Sequence, residues 1–294
     1  MKVFLRTSVM CAPIFMLIFG FYLSGCVSFY PPLEPGEVAE MFEGHRTPRF
    51  LTVTNQQQVM HYAHVGETNK PLVVFIHGSP GAWNAFSHFL KSPQLLDNAQ
   101  LISVDRPGYG KSGFGDWETS LLTQVNLIQK TFKHAQAKQP ILVAGHSYGG
   151  PVAARLAMEY PEQVSGLILV APSIDPALEE HQWYQRAGKS WLIRWALPKD
   201  LRVANEEIWP LKQELQKQED LWEKIRCSVA VLQGTKDRLV PAANAQYALK
   251  KLDHLQPPPS IFLLEGVDHF IPWSHPEILG ETILNMLSKN SFNE

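Results

Sequence analysis

The chain has 294 residues, of which 45% are hydrophobic and 18% charged, and its formal net charge is −2 at pH 7. A chain of this length and composition can bury a large core, which excludes a disordered polymer and fits one large α/β domain. The near-neutral balance, without a basic stripe, excludes the electrostatic footprint of a nucleic-acid-binding protein.

The N-terminus differs in character from the rest of the chain. Lys2 and Arg6 precede an uncharged, largely apolar run over residues 7–25, an order typical of a secretory signal peptide. The run ends in LSGC at 23–26, which resembles the lipobox of bacterial lipoproteins, where the cysteine is lipidated and becomes the first mature residue. The resemblance implies a signal peptide over 1–25 and a lipid such as palmitate on Cys26.

This N-terminus predicts a membrane-anchored lipoprotein in an extracytoplasmic compartment. An uncleaved transmembrane anchor and ordinary secretion stay open as alternatives, because the apolar run is close to the length that spans a bilayer. The residue after Cys26 is Val27 and not aspartate. By resemblance to Gram-negative lipoproteins, this favours the periplasmic face of the outer membrane if the host is Gram-negative. The Pro-rich stretch that follows predicts a tether over 26–45, ahead of a folded domain at 46–294.

The chain has three cysteines, Cys11, Cys26 and Cys227. Cys11 would leave with the signal peptide and Cys26 would carry the lipid. Cys227 would then stand alone beside an apolar run, so we expect no intramolecular disulfide and a buried, inert thiol.

Beyond residue 46, short apolar runs alternate with longer segments of helical composition. Residues 49–54 and 59–65 alternate in polarity and predict an antiparallel hairpin. Six continuous apolar runs follow, typical of strands buried on both faces of a parallel sheet, at 72–78, 101–105, 141–147, 166–172, 229–234 and 260–266. Helix-like stretches separate them, around 83–90, 117–137, 149–159, 241–252 and 275–288. This alternation predicts an α/β fold with a mostly parallel, doubly wound sheet.

One connection, about 175–226, is too long for a simple loop. We expect it to form a helical cap insertion over the carboxyl edge of the sheet. It contains five of the eight tryptophans of the chain, Trp183, Trp191, Trp195, Trp209 and Trp222.

Ser147 lies in the sequence AGHSYGG, between a strand-like run and a helix-like run. A residue at the tip of such a sharp turn takes strained backbone angles, and neighbours two positions away crowd it unless they lack a Cβ atom. Gly145 and Gly149 meet that requirement. The turn would present the Ser147 hydroxyl at the carboxyl edge of the sheet, with the first helical N–H groups aimed at any negative charge that forms there. We therefore predict that Ser147 is a nucleophile.

Around this motif, the region from about 49 to 290 resembles the α/β-hydrolase fold family. A serine needs a base, and the resemblance implies His269, which follows the last strand-like run. For the acid that holds the base, Asp237 fits the usual position and Asp175 is the competitor one strand earlier. Asp268 is expected to be a bystander. His146 is expected to point away from the hydroxyl and into the sheet, packed and hydrogen-bonded.

Attack on a carbonyl creates an oxyanion that needs hydrogen-bond donors. One predicted donor is the backbone N–H of Tyr148, at the start of the helix. The resemblance implies the N–H of Ser79, in the sequence HGSPGAW, as the second. Arg106, in the following loop DRPGYGKSG, is expected to pair locally rather than to bind substrate.

These residues predict a serine hydrolase that cleaves a carboxylic ester through an acyl-enzyme, without a cofactor or metal. The tryptophan-rich insertion would roof an apolar pocket, so part of the substrate should be hydrophobic. An acyltransferase, or an amidase or aminopeptidase, could use the same residues; HGSPG at 77–81 differs by one residue from the HGGPG of prolyl aminopeptidases. A lipoprotein whose hydrolase fold has become a non-catalytic binding module is a third alternative.

Overall fold

The computed structural model describes residue 28 and residues 30–55 and 58–291. The predicted signal peptide and Cys26 lie outside the described residues. Within the described part of the chain, no helix is both long enough and apolar enough to cross a membrane.

A single eight-stranded sheet organises the described chain, in the order β1-β2-β4-β3-β5-β6-β7-β8. Its strands are β1 (Arg49–Thr54), β2 (Val59–Val65), β3 (Pro71–Ile76), β4 (Gln100–Val104), β5 (Lys138–His146), β6 (Gly166–Val170), β7 (Ser228–Gly234) and β8 (Ser260–Leu264). Strand β2 is antiparallel to both of its neighbours, and β3 to β8 pair in parallel. The predicted hairpin and the predicted mostly parallel sheet are both confirmed.

Helices cover both faces of the sheet. They are α1 (Pro35–Met41), α2 (Ser87–Leu90), α3 (Pro93–Asn98), α4 (Leu121–His134), α5 (Gly149–Glu159), α6 (Trp183–Lys189), α7 (Trp191–Ala196), α8 (Lys199–Ile208), α9 (Leu211–Lys217), α10 (Ala243–Lys251), α11 (Ile271–Ser274) and α12 (Pro276–Ser291), with 3₁₀ turns at Trp83–Phe86 and Glu219–Lys224. The hydrophobic residues form two clusters, one on each side of the sheet. Along β3, Leu72 and Val74 belong to one cluster and Val73 and Phe75 to the other, because successive strand residues point to opposite faces.

The long connection between β6 and β7 forms helices α6 to α9 and a 3₁₀ turn. These helices form the cap. Helix α8 contributes Leu201 and Ile208 to a cavity that also contains Ser147, so the cap covers the carboxyl edge of the sheet.

Part of the predicted tether belongs instead to the folded body. Residues 35–41 form α1, which begins with Pro35 and has a reciprocal capping box between Glu34 and Glu37. Phe42, which follows the helix, is 2% exposed and stacks on Trp83 with ring centroids 6.1 Å apart. A Pro-rich composition therefore suggested a linker where proline starts a helix.

Candidate active site

Ser147 occupies the strained turn that the sequence predicts. It follows β5 directly, its φ is +55°, and its N–H donates to the Val170 carbonyl at 2.9 Å. A Cβ atom on Gly145 would overlap the Gly149 carbonyl oxygen, and one on Gly149 would overlap the Ile76 carbonyl oxygen. Only glycine fits at these two positions, so the sequence between β5 and α5 dictates the turn.

His269 and Asp237 come together at the carboxyl edge, from the loops after β8 and β7. The Nδ1 atom of His269 lies 2.7 Å from Asp237 Oδ2, and the imidazole is 7% exposed while the carboxylate is fully covered. Asp237 Oδ1 accepts hydrogen bonds from the N–H groups of Leu239, at 2.9 Å, and Val240, at 2.8 Å. The carboxylate is thus fixed from one side and holds the histidine ring from the other.

The electrostatics of Asp237 favour its charged form. Burial acts to raise its pKa, but the hydrogen bond from His269 and those from Val240 and Leu239 outweigh burial and lower the pKa. The competing acid, Asp175, uses its carboxylate locally, accepting from the Ala177 N–H at 2.8 Å. Asp268 does the same with the N–H of Phe270 at 2.9 Å, as expected of a bystander.

His146 is buried and hydrogen-bonded, but it does not point into the sheet. Its Nε2 lies 3.0 Å from the backbone oxygen of His269, and the two rings are 4.8 Å apart. Burial, and after it the neighbouring His269, lowers the pKa of His146 to about 3. The ring is therefore neutral, and its Nε2–H donates to the His269 carbonyl and supports the loop that carries His269. This role depends on the position of a distant loop, so the sequence did not reveal it.

The loop after β3 brings Ser79 close to Ser147. A Cβ atom added to Gly78 would lie 3.0 Å from the Ser147 Cβ, and Ser79, Ser147, Tyr148 and His269 line one cavity. Among the described residues, neither the Ser79 N–H nor the Tyr148 N–H donates a hydrogen bond. These two amides are thus available to a ligand.

Arg106 does not pair locally, contrary to expectation. Its guanidinium binds Glu207 of α8 through two hydrogen bonds, 2.6 and 2.8 Å long, and both side chains are fully buried. The same guanidinium donates to the carbonyls of His77 and Gly78, both at 2.9 Å. Glu207 also accepts from the hydroxyl of Ser79. The pair therefore joins the cap to the loop that carries the Ser79 amide.

These residues surround a cavity of about 440 Å³. Its apolar lining comes from the cap and from the loops around it, namely Ala85, Leu201, Ile208, Leu211, Leu239, Val240, Phe270 and Trp273. Its volume falls in the range of small-molecule sites.

The insertion roofs the cavity, as the sequence predicts, but its tryptophans take no part in the roof. None of the five insertion tryptophans is among the described residues that line the cavity. Trp222 is in the core, Trp209 stacks on His181 at 3.9 Å, and the other three are largely exposed. Aliphatic residues of α8 and α9 form the roof instead.

Two further sequence expectations concern cysteine and metals. Cys227 is a free thiol, and burial raises its pKa to about 12, so it is not a nucleophile at neutral pH. Within the described ranges, no group of three or more His, Cys, Asp or Glu side chains could hold a metal ion.

Comparison with known proteins adds to this geometry. Over 112 residues the chain is 39% identical to the pimeloyl-[acyl-carrier protein] methyl ester esterase of Edwardsiella ictaluri, covering 37% of this chain and 40% of the esterase. Over 165 residues it is 30% identical to a protein of Oryza sativa subsp. japonica named "Probable 1-acylglycerol-3-phosphate O-acyltransferase", covering 53% of this chain and 37% of that protein. The chain thus spans less than half the length of these two relatives.

Similarity in structure and in family extends over much more of the chain. The fold superposes on the crystal structure of a bacterial membrane phospholipase A with a TM-score of 0.65 and 18% identity, over 96% of this chain and 100% of the other. A family model described as "Alpha/beta hydrolase family" matches residues 73–281. With a match over that span, the chain belongs to the alpha/beta hydrolase family.

Proposed function

We propose that this enzyme is a serine hydrolase that cleaves carboxylic esters through an acyl-enzyme. The observation that carries the proposal is the 2.7 Å contact between His269 Nδ1 and Asp237, which leaves Nε2 to serve Ser147 in the same cavity. Ser147 is the nucleophile, His269 the general base and Asp237 the acid that orients the base.

The reaction runs in two halves. His269 accepts the hydroxyl proton of Ser147 as its Oγ attacks the carbonyl carbon, and the N–H groups of Ser79 and Tyr148 stabilise the oxyanion. The histidine then protonates the leaving alcohol, and the acyl group stays on Ser147. Water, deprotonated by His269, releases the acid and restores the serine. Asp237 stabilises the imidazolium that forms in each half.

The cavity lining supports a substrate with a hydrophobic portion. Leu201, Ile208 and Leu211 of the cap line the same cavity as Ser147 and His269, and an acyl or alkyl chain would bury apolar surface there. Part of this chain is similar in sequence to a methyl ester esterase, which agrees with ester chemistry at this site.

An acyltransferase is the second candidate, favoured by the similarity to the relative that bears that name. The same acyl-enzyme would then pass its acyl group to an alcohol instead of water. Adding a competing alcohol to the assay distinguishes the two, because a transferase forms the new ester in preference to the free acid.

The test uses a series of p-nitrophenyl esters of increasing acyl length, with wild type, Ser147→Ala and Ser288→Ala. Ser288 is exposed on α12 and does not line the cavity, so it serves as the matched control. We expect Ser147→Ala to lose at least about 10³-fold in kcat, and Ser288→Ala to behave as wild type. A burst of p-nitrophenol is expected wherever deacylation is slow. Full turnover by Ser147→Ala would overturn the proposal.

A further inference from the structure

The cap exposes tryptophans that the catalytic cavity does not use. Trp183 on α6 is 78% exposed, and Trp191 and Trp195 on α7 are 75% and 78% exposed. Trp191 and Trp195 are four residues apart, so they project from the same side of α7. We call the surface formed by these three residues the tryptophan face. Large side chains at this level of exposure are uncommon in a soluble domain unless something covers them.

The helices that carry this face are tied to α8, within the cap, by ion pairs. Lys189, at the end of α6, and Arg194, in α7, both bind Glu206 of α8, at 2.6 and 3.0 Å. Arg194 also lies over the Trp117 ring, 5.2 Å from its centroid. The basic side chains thus anchor α6 and α7 to the protein while the tryptophans project outward.

The N-terminal end of the described chain lies at the same cap. The Ser28 hydroxyl donates to Asp200 Oδ2 at 2.7 Å, and the Tyr30 N–H donates to the same oxygen at 2.9 Å. Asp200 is fully buried and belongs to α8. Two residues reach at most about 7 Å. A lipid on Cys26, or an apolar anchor over 7–25, would therefore begin beside the cap.

We propose that the N-terminus anchors the protein in a phospholipid bilayer and that the tryptophan face rests in the interfacial region of that bilayer. Tryptophan favours this region because its ring is largely apolar and its N–H can still find a polar partner. Residues 183–196 contain three basic residues and no acidic one, and two of the basic residues, Lys189 and Arg194, pair with Glu206. The segment therefore brings no unpaired acidic side chain of its own to an anionic lipid surface. The anchor and the face would then hold the cap on the bilayer at two places. The backbone N–H groups of Tyr30 and Leu201 both donate to the Asp200 carboxylate, and both residues line the cavity. In the proposed arrangement the site would lie near the membrane surface.

The test measures quenching of tryptophan fluorescence by lipids brominated on their acyl chains. The full-length protein is reconstituted in vesicles of phosphatidylcholine and phosphatidylglycerol, with brominated or ordinary phosphatidylcholine. The sequence before residue 83 contains no tryptophan, so the N-terminal anchor contributes no signal. The variants are Trp191→Phe/Trp195→Phe and, as a matched control, Trp222→Phe. Trp222 is 1% exposed in the core, so its loss removes a buried ring and leaves the tryptophan face intact.

We expect brominated lipid to quench the wild type, and the double variant to lose about half or more of the quenched signal, since it lacks two of three interfacial rings. Trp222→Phe should keep it. Circular dichroism establishes that each variant is folded. Equal emission in both sets of vesicles, or equal quenching of the double variant and the wild type, would overturn the proposal. Shielding from aqueous iodide without quenching by bromine would also overturn it, because a protein partner would then cover the face. Ser147→Ala should be quenched like wild type, so this result is independent of the proposed catalysis.

Discussion

Replacing Glu207 by glutamine tests how the cap is held to the body. The substitution keeps the shape of the side chain and removes its negative charge from a site where both Glu207 and Arg106 are fully buried. In the wild type, burial acts to lower the pKa of Arg106, and the charge of Glu207 and its hydrogen bonds raise it. Without Glu207 the guanidinium still stays charged, because its intrinsic pKa is far above neutral pH. An unpaired buried charge is then left behind.

The size of the effect follows from the remaining contacts. Removing one partner of a buried ion pair costs about 3–5 kcal/mol in the free energy of unfolding. Arg106 keeps three neutral acceptors, the carbonyls of His77 and Gly78 at 2.9 Å and the side-chain oxygen of Gln124 at 3.2 Å. We therefore expect a loss near the lower end of that range, about 3 kcal/mol. The Ser79 loop should also be less well placed, which lowers kcat more than it raises KM.

Urea unfolding of the full chain, followed by tryptophan fluorescence, measures the loss. The neighbouring substitution Glu206→Gln is the control, because Glu206 binds Lys189 and Arg194, whose side chains are 28% and 40% exposed. It should cost about 1 kcal/mol or less. The double variant Arg106→Met/Glu207→Met leaves no buried charge and should be more stable than Glu207→Gln alone. If Glu207→Gln and Glu206→Gln destabilise the protein equally, the reasoning is refuted.

Three other predictions concern the site and its support. Asp237→Asn should lower kcat by about 10³–10⁴-fold with little change in KM, because the amide cannot stabilise the imidazolium; steady-state hydrolysis of a p-nitrophenyl ester measures this. His146 has a pKa of about 3 in the folded protein and about 6.5 in the unfolded chain. Between these two pH values, only the unfolded chain binds a proton at His146. The free energy of unfolding should therefore fall as the pH drops below 6.5, by at most about 1.4 kcal/mol per pH unit from this group. Urea titrations at several pH values follow this loss, and the slope should be smaller in His146→Gln. Gly149→Ala should lower the melting temperature sharply, because its Cβ would overlap the Ile76 carbonyl oxygen, whereas Gly280→Ala, with open space around it in α12, should leave it unchanged or higher.

Each of these predictions has an outcome that contradicts it. Asp237→Asn with wild-type kcat would remove the acid from the mechanism. A slope below pH 6.5 that is the same in His146→Gln would mean that His146 is not the group responsible. Equal melting temperatures for Gly149→Ala and Gly280→Ala would contradict the requirement for a glycine at the turn.

The sequence predicted the features of this fold that depend on local chemistry. Continuous apolar runs mark strands covered on both faces, and the spacing of Gly145, Ser147 and Gly149 is itself the condition for the turn. The choice between Asp237 and Asp175 stayed open from the residues alone. It depends on where the loops after two strands converge, and the structure pairs His269 with Asp237.

The features that sequence reasoning missed depend on distant contacts. Glu207 lies 101 residues beyond Arg106, and no local pattern links a cap helix to a loop after β4. The tryptophans of the insertion are ambiguous in the same way, because a tryptophan can fill a core, line a cavity or lie on a surface. Trp222 lies in the core and Trp191 on the surface, and composition alone does not distinguish them.

The most direct test of the central claim is covalent labelling with a fluorophosphonate, followed by mass spectrometry of the digested protein. A fluorophosphonate reacts with a serine whose hydroxyl is activated by a neighbouring base. The account predicts one adduct, on the peptide that carries Ser147, which is absent from Ser147→Ala and strongly slowed in His269→Ala. A wild-type protein without that adduct, or with the label on another serine, would contradict it.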